Sequence, residues 1–216
     1  MKYLINIILL LSSIAQASLT DELHNQVSLS HKPLTYQQVK IILFSDVDNI
    51  NNENCSVYTP SECKKRSGKA KGFSLNVEHT WPQSKGSKAF PAVSDMHHLF
   101  IASKESNGKR ANYPFCNVYD IDWEKDQSIL GHDQNDEECF EPRDSHKGNV
   151  ARAMFYFSIR YQKSLDDQQE KILRLWNLLD PVDTAEYERN QKIQALQGNL
   201  NPFIVDPDFI NLILDF

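Results

Sequence analysis

The chain is predicted to fold as an α+β protein with a single core. Strand-like segments with period-two apolar alternation gather in its first half, and segments with helical periodicity gather after Gly148. Strand and helix do not alternate along the chain as a parallel α/β sheet would require. The 216 residues suit one domain with elaborations and are enough to bury a substantial apolar centre.

The elements follow in order. "MKYLINIILLLSSIAQA" has one cation, an apolar run from Tyr3 to Leu11 and a small-residue Ala15-Gln16-Ala17 end, so residues 1–17 are expected to be a secretory signal peptide and 18–216 the mature domain. The apolar run is far shorter than the ~20 residues of a membrane span. "TYQQVKIILF" predicts a helix over 35–44, capped by Thr35 with Gln38 in the capping-box position. "CSVYTP" reads as a short strand and "KKRSGKAKG" as an exposed basic loop. "FSLNVEHTW" sets Phe73, Leu75, Val77 and His79 against Ser74, Asn76, Glu78 and Thr80, and Pro82 ends that strand. "HHLFIA" (97–102) predicts a second strand, and Ser103 caps a helix through "SKESNGKRAN". Residues 112–141 carry turn-rich, strand-like pieces. "NVARAMFYFSIRYQ", "DDQQEKILRLWNLL" and "TAEYERNQKIQALQG" predict helices, the last closed by Gly198, and "PDFINLILDF" a final docking helix.

Four cysteines fit an oxidising destination. Pairing Cys55 with Cys63 and Cys116 with Cys139 closes two local loops, and no pair has the spacing of a zinc knuckle. The net charge is −6, and losing Lys2 with the leader takes it to −7. An acidic balance argues against a general nucleic-acid binder, unless cations gather on one face and a metal ion adds local charge.

Between residues 76 and 112 stand Glu78, His79, Asp95, His97, His98, Asn107, Arg110 and Asn112. If the two strands form a hairpin leading into the helix at Ser103, Glu78, His79 and Asn107 converge. Alternation puts Glu78 and His79 on opposite faces, so the strand must bend or the site must straddle it. Carboxylate and amide oxygens are hard ligands suited to Mg²⁺, Mn²⁺ or Ca²⁺, and a free imidazole can take a proton from water near neutral pH. That set suits a one-metal phosphodiester hydrolase. Each residue alone is more often a cap, a surface group or a satisfied core side chain.

The blocks "VEHTWPQS", "SDMHHLFIASKESNGKRANYPF", "KGNVARAMFYFSIRY", "LLDPVDTAEYERNQKIQALQGNLNPFI" and "DPDFINLI" occur in that order. From about residue 35 to the C-terminus the chain resembles the secreted bacterial endonuclease I family, one of the ββα-metal (His-Me finger) nucleases. The resemblance implies a ββα-metal core with added, mostly C-terminal helices. His79 would be the general base, and Glu78 and Asn107 would hold one divalent ion. It implies cleavage of DNA, with RNA a second substrate, at little sequence preference and leaving 5′-phosphate ends. The protein would be exported to the periplasm or the medium, free of the membrane once the leader is cut, and would act as a monomer.

Some family members carry an Arg against the scissile phosphate in a longer segment after the Glu-His pair. Here "TWPQSKGSKAFPAVS" has no Arg, which leaves Lys85, Lys88 and Arg110 as candidates for that contact. Asp95 and His97 are supporting candidates, and a backbone carbonyl near Val93 is expected to fix the tautomer of His79 and leave Nε2 as the base. Arg143, Lys147, Arg152 and Arg160 are either a basic face for phosphates or solvated charges, and "MFYFSIRY" is core. Two rivals stand beside this reading: a secreted, non-catalytic metal- or partner-binding module, favoured by the acidic charge, and a zinc enzyme built on His79, His97 and His98.

Overall fold

The computed structural model describes residues 19–65 and 74–216. The leader expected at 1–17 and the basic loop from residue 66 on lie outside the described residues. Helix α1 covers 19–29 and was not anticipated; Leu23 and Val27, four residues apart, bury one face in the main core. Helix α2 (Tyr36–Ile42) has the expected capping box between Thr35 and Gln38 and runs on into a π-helical turn, Leu43–Val47.

Strands β1 (Glu53–Cys55) and β2 (Cys63–Lys65) pair antiparallel. The strand expected over 55–60 therefore ends at Cys55. The Ser56 hydroxyl takes the Thr59 N–H, and Glu62 N donates to Thr59 O, which curls the chain back toward Cys63. The cysteines pair as the local-loop argument expects, Cys55–Cys63 and Cys116–Cys139.

Strand β3 (Leu75–His79) pairs antiparallel with β4 (Leu99–Ser103), with Val77 opposite Ile101, Glu78 opposite Phe100 and His79 opposite Leu99. The register runs unshifted, so no bend brings Glu78 and His79 together. The second strand begins later than predicted. Asp95 caps a 3₁₀ turn over Met96–His98 by accepting from His97 N, which removes the two histidines from the strand. Helix α3 (Lys104–Arg110) follows directly, capped by Ser103 through Ser106 N. It stops at Ala111, which has φ +45°, a conformation L-residues rarely hold.

Strands β5 (Asp120–Lys125), β6 (Ser128–His132) and β7 (Glu138–Glu141) form a three-stranded antiparallel sheet. Helix α4 (Asp144–Tyr161) starts before Gly148, earlier than predicted. Its residues from His146 to Ile159, apart from Asn149, are buried, so it is wrapped on all sides. Helices α5 (Asp167–Leu179) and α6 (Thr184–Gln197) open on Asp166 and Asp183, whose side chains accept from first-turn N–H groups. The final helix expected over 207–216 shortens to one turn, α8 (Phe209–Leu212), with another, α7 (Pro202–Val205), just before it. The 207–216 stretch docks through Ile210, Ile213 and Phe216, the last packed on Phe155 and Phe203. Among the described residues no helix is long and apolar enough to cross a membrane.

Two apolar clusters flank the β3–β4 hairpin. The larger joins α1, α4, α5 and the C-terminal turns with Tyr58, Trp81, Ala102, Phe115 and Phe140. The smaller contains Val39, Leu43, Val47, Val77, Met96, Leu99 and Ile193. A strand buried on both faces is what allows one side chain to enter each environment.

Candidate active site

Glu78 points to the larger cluster and His79 to the smaller, so the site straddles the strand. Glu78 is 2% exposed. Its Oε1 accepts from the Tyr58 hydroxyl at 3.0 Å and faces Arg110 Nε at 3.5 Å. Burial pushes this carboxyl up from its ordinary value, and the Arg110 charge and Tyr58 hydrogen bond pull against it. A further cation is therefore favourable beside it.

Asn107 reaches the same face. Its Nδ2 donates to Asn76 Oδ1 at 2.9 Å and to Val77 O at 3.3 Å. A carbonyl accepts only, which fixes the amide's orientation and leaves Oδ1 free to coordinate. Asn76 and Glu78 are two residues apart on β3, and Asn107 and Arg110 are three apart on α3. Glu78 thus lies on the strand face that Asn107 meets from helix α3. This donor set, two hard oxygens with one amide nitrogen already committed, fits Mg²⁺, Mn²⁺ or Ca²⁺.

His79 packs against Tyr36 and His98, each ring centre 5.6 Å away. The Val93 carbonyl does orient it, but through Nε2, which donates at 3.1 Å. The free nitrogen is therefore Nδ1, the reverse of the expectation. Gln83 Nε2 lies 3.3 Å from Nδ1, to which it donates, and 3.4 Å from Nε2. Burial, reinforced by nearby His98, lowers this imidazole to about 3 against the pull of Val93 O, so the ring is neutral and able to accept at physiological pH.

The loop that carries Val93 is fastened from behind. Asp95 is fully buried and accepts from Tyr156 and Tyr161 hydroxyls at 2.7 and 2.9 Å and from Gln197 Nε2 at 2.8 Å. Gln197 Oε1 takes Met96 N, and His97 Nε2 donates to Asn199 O at 3.0 Å. Asp95 and His97 therefore hold the loop to α4 and the end of α6. His98 donates to Ala92 O at 2.8 Å. Among the described residues His79, His97 and His98 form no metal-sized group. Glu53, Cys55 and Cys63 lie close enough together, but these two sulfurs are joined to each other.

The predicted phosphate contacts separate. Arg110 is 1% exposed, donates to Thr80 O, Ala111 O and Tyr113 O, and stacks on Phe115 with its Cζ 4.2 Å from the ring centre. It has no free edge for a phosphate and serves Glu78 instead. Lys85 and Lys88 are exposed. The four further cations do not make a basic face: Arg152 is buried against Glu186, Lys147 pairs with Glu141 and Asp144, Arg143 donates to Val57 O and Ser145, and Arg160 lies against His31 and the Tyr161 ring. "MFYFSIRY" is core, as expected. Sequence reasoning missed Tyr58 and Gln83. Tyr58 lies 20 residues before Glu78 with no pattern linking them, whereas Gln83 follows His79 by four residues inside the same motif.

The buried rings bear on stability. His97 is lowered to about 4, mainly by burial, and His98 and His146 are lowered by burial too. Unfolding frees these imidazoles to protonate near their ordinary value, so between about pH 6.5 and pH 4 the unfolded state binds more protons. Stability is unaffected by them above that range and falls as acid is added, by up to about 1.4 kcal/mol per ring per pH unit. Thermal melts at successive pH values should show Tm falling steadily below pH 6.5, and a flat Tm down to pH 4 would contradict this.

The chain matches the model of the Endonuclease I family over residues 13–208. It is 33% identical over 219 residues to an extracellular ribonuclease of Bacillus amyloliquefaciens, covering 91% of this chain and 73% of that protein. It is 39% identical over 115 residues to a periplasmic deoxyribonuclease of Aeromonas hydrophila, covering 51% and 46% respectively. A match of 29% over 123 residues to an Endonuclease-1 of Buchnera aphidicola spans 51% of this chain and 44% of that one. The chain therefore belongs to the endonuclease I family and is a nuclease, a phosphodiester hydrolase.

Proposed function

We propose that the chain is an exported, divalent-metal-dependent endonuclease of low sequence preference. Its β3–β4–α3 unit would be a His-Me finger, residues 1–17 a leader and 18–216 one nuclease domain. The observation that carries this reading is the commitment of Asn107 Nδ2 to Asn76 and Val77 O, which leaves its oxygen as a donor on the strand face that carries the buried Glu78 carboxylate. Glu78 and Asn107 would hold one ion, with Mg²⁺ the first candidate. When bound, such an ion stabilises negative charge on the phosphate and the departing oxygen.

The chain's own residues supply the rest. Tyr58 and Arg110 hold the Glu78 carboxylate in place. Val93 O keeps the proton of His79 on Nε2, so Nδ1 accepts the proton of the attacking water. A base with so low a proton affinity gains from the neighbouring phosphodiester anion, which stabilises the imidazolium as it forms. Attack by water with departure of the 3′ oxygen leaves 5′-phosphate ends. The relatives include a ribonuclease and a deoxyribonuclease by name, which supports both RNA and DNA as substrates, and their extracellular and periplasmic names support export.

Purified protein 18–216 incubated with plasmid DNA and with RNA should cut in Mg²⁺ and stop on adding EDTA. Activity that persists through EDTA and metal-free dialysis would remove the metal from the reading. Absence of cutting under any divalent ion would favour the non-catalytic module.

A further inference from the structure

We propose that the cleft between the Trp81–Gly86 loop and the Lys163–Gln169 segment binds a backbone phosphate of the substrate strand next to the one being cut, gripped by Lys85 and Lys163. This rests on the nuclease reading of the neighbouring site. The cleft holds about 280 Å³ and is lined by Trp81, Pro82, Lys85, Arg110, Lys163 and Asp166, among others.

Three observations converge. Arg110 forms part of the cleft wall and also faces Glu78 at 3.5 Å, so the cleft adjoins the proposed metal ligand through one shared side chain. Lys163 is brought in by Gly86, whose φ is +121°. A Cβ there would lie 3.4 Å from Lys163 Cε and 3.9 Å from its Nζ. The lysine stem thus crosses the bare backbone of the loop that carries Lys85.

The charges are also unbalanced. Arg110 is answered by Glu78, and Asp166 is engaged in capping α5 through Gln168 N and Gln169 N. Among the described residues neither Lys85 nor Lys163 makes an ion pair. Partial enclosure in the cleft and the Arg110 charge lower Lys85, with Asp166 opposing. A phosphodiester supplies an anion for both lysines. Residues 80–94 contain no Arg, and Arg110 is enclosed, so among the described residues lining the cleft Lys85 and Lys163 are the cations without an ion pair. Each presents a point charge without the two-pronged geometry of a guanidinium, which suits a grip on the backbone that ignores base identity.

The test compares wild type with Lys85→Gln, Lys163→Gln and the double variant, and with Lys192→Gln, which lies on α6 facing Asp46, as control. The double variant should raise KM about tenfold at ~0.1 M salt, hold kcat within about twofold, and make the fall of log(kcat/KM) with log salt shallower by about one to two. The control should match wild type. Unchanged KM and salt slope, or a loss confined to kcat, overturns the cleft while the active wild type leaves the nuclease intact. If wild type does not cut, the nuclease reading fails by itself, and binding of a labelled oligonucleotide to wild type and to the double variant still decides the cleft. Displacement of that oligonucleotide by inorganic phosphate or a mononucleotide at the same concentration of phosphate groups would mark a free-phosphate site and overturn the strand assignment.

Discussion

His79→Ala is expected to lower kcat by about 10²–10⁴, the usual contribution of a positioned general base. Among the described residues its ring is the imidazole held by a backbone carbonyl on one nitrogen while the other faces an exposed polar side chain, Gln83. His98 is engaged with Ala92 O and His97 with Asn199 O, and both are buried. Removing the His79 ring also takes packing from Tyr36 and His98, so loss of activity must be separated from loss of fold. Two measurements do this. Circular dichroism and Tm report the fold, and added imidazole should restore part of the rate by filling the space and accepting the proton. Cutting by the variant at the wild-type rate would refute the role given to His79. Inactivity in a folded variant that imidazole never rescues, whatever its concentration, would assign the ring to structure.

Glu186→Ala is expected to produce the largest loss of stability, about 3–5 kcal/mol, because it strands a buried cation. Arg152 is 1% exposed and Glu186 5%. The guanidinium donates to both carboxylate oxygens, at 2.8 and 2.5 Å, and to Asn177 Oδ1 and Asp180 O at 2.9 and 3.0 Å. These bonds tie the middle of α4 to the ends of α5 and α6. Replacing both partners by apolar residues of similar size, Arg152→Met with Glu186→Leu, should recover most of the loss, since no charge is then left unpaired. Chemical denaturation of both variants checks this. A single variant within about 1 kcal/mol of wild type, the worth of a surface pair, would contradict it.

What the sequence revealed divides by distance along the chain. The capping box at Thr35, the Ser103 cap, the Glu78-His79 pair and both disulfides are local, and local rules reach them. The hairpin into α3 was legible because Pro82 and Ser103 mark its limits. The 3₁₀ turn at Met96–His98 was not, because the Asp95 side chain overrode a strand-like apolar run. Helix 19–29 was missed because it stands next to the apolar leader and its two buried residues, Leu23 and Val27, meet partners far along the chain. At the site, Val93 was identified as the orienting carbonyl, but which ring nitrogen it engages depends on the path of the 80–94 segment. The enclosure of Arg110 and the approach of Lys163 to Gly86 depend on contacts between residues separated by 30 to 80 positions, beyond any periodicity.

The bolts between the Val93 loop and the end of α6 have one more effect. The carbonyl that aims His79 sits on a loop tied to Gln197 and Asn199, 101 to 102 positions further along the chain. Glu78 and Asn107 are held by partners near the hairpin, Tyr58, Arg110 and Asn76, whereas the aim of the His79 ring depends on those distant bonds. The base is therefore coupled to a distant part of the fold to which the two oxygen donors are not.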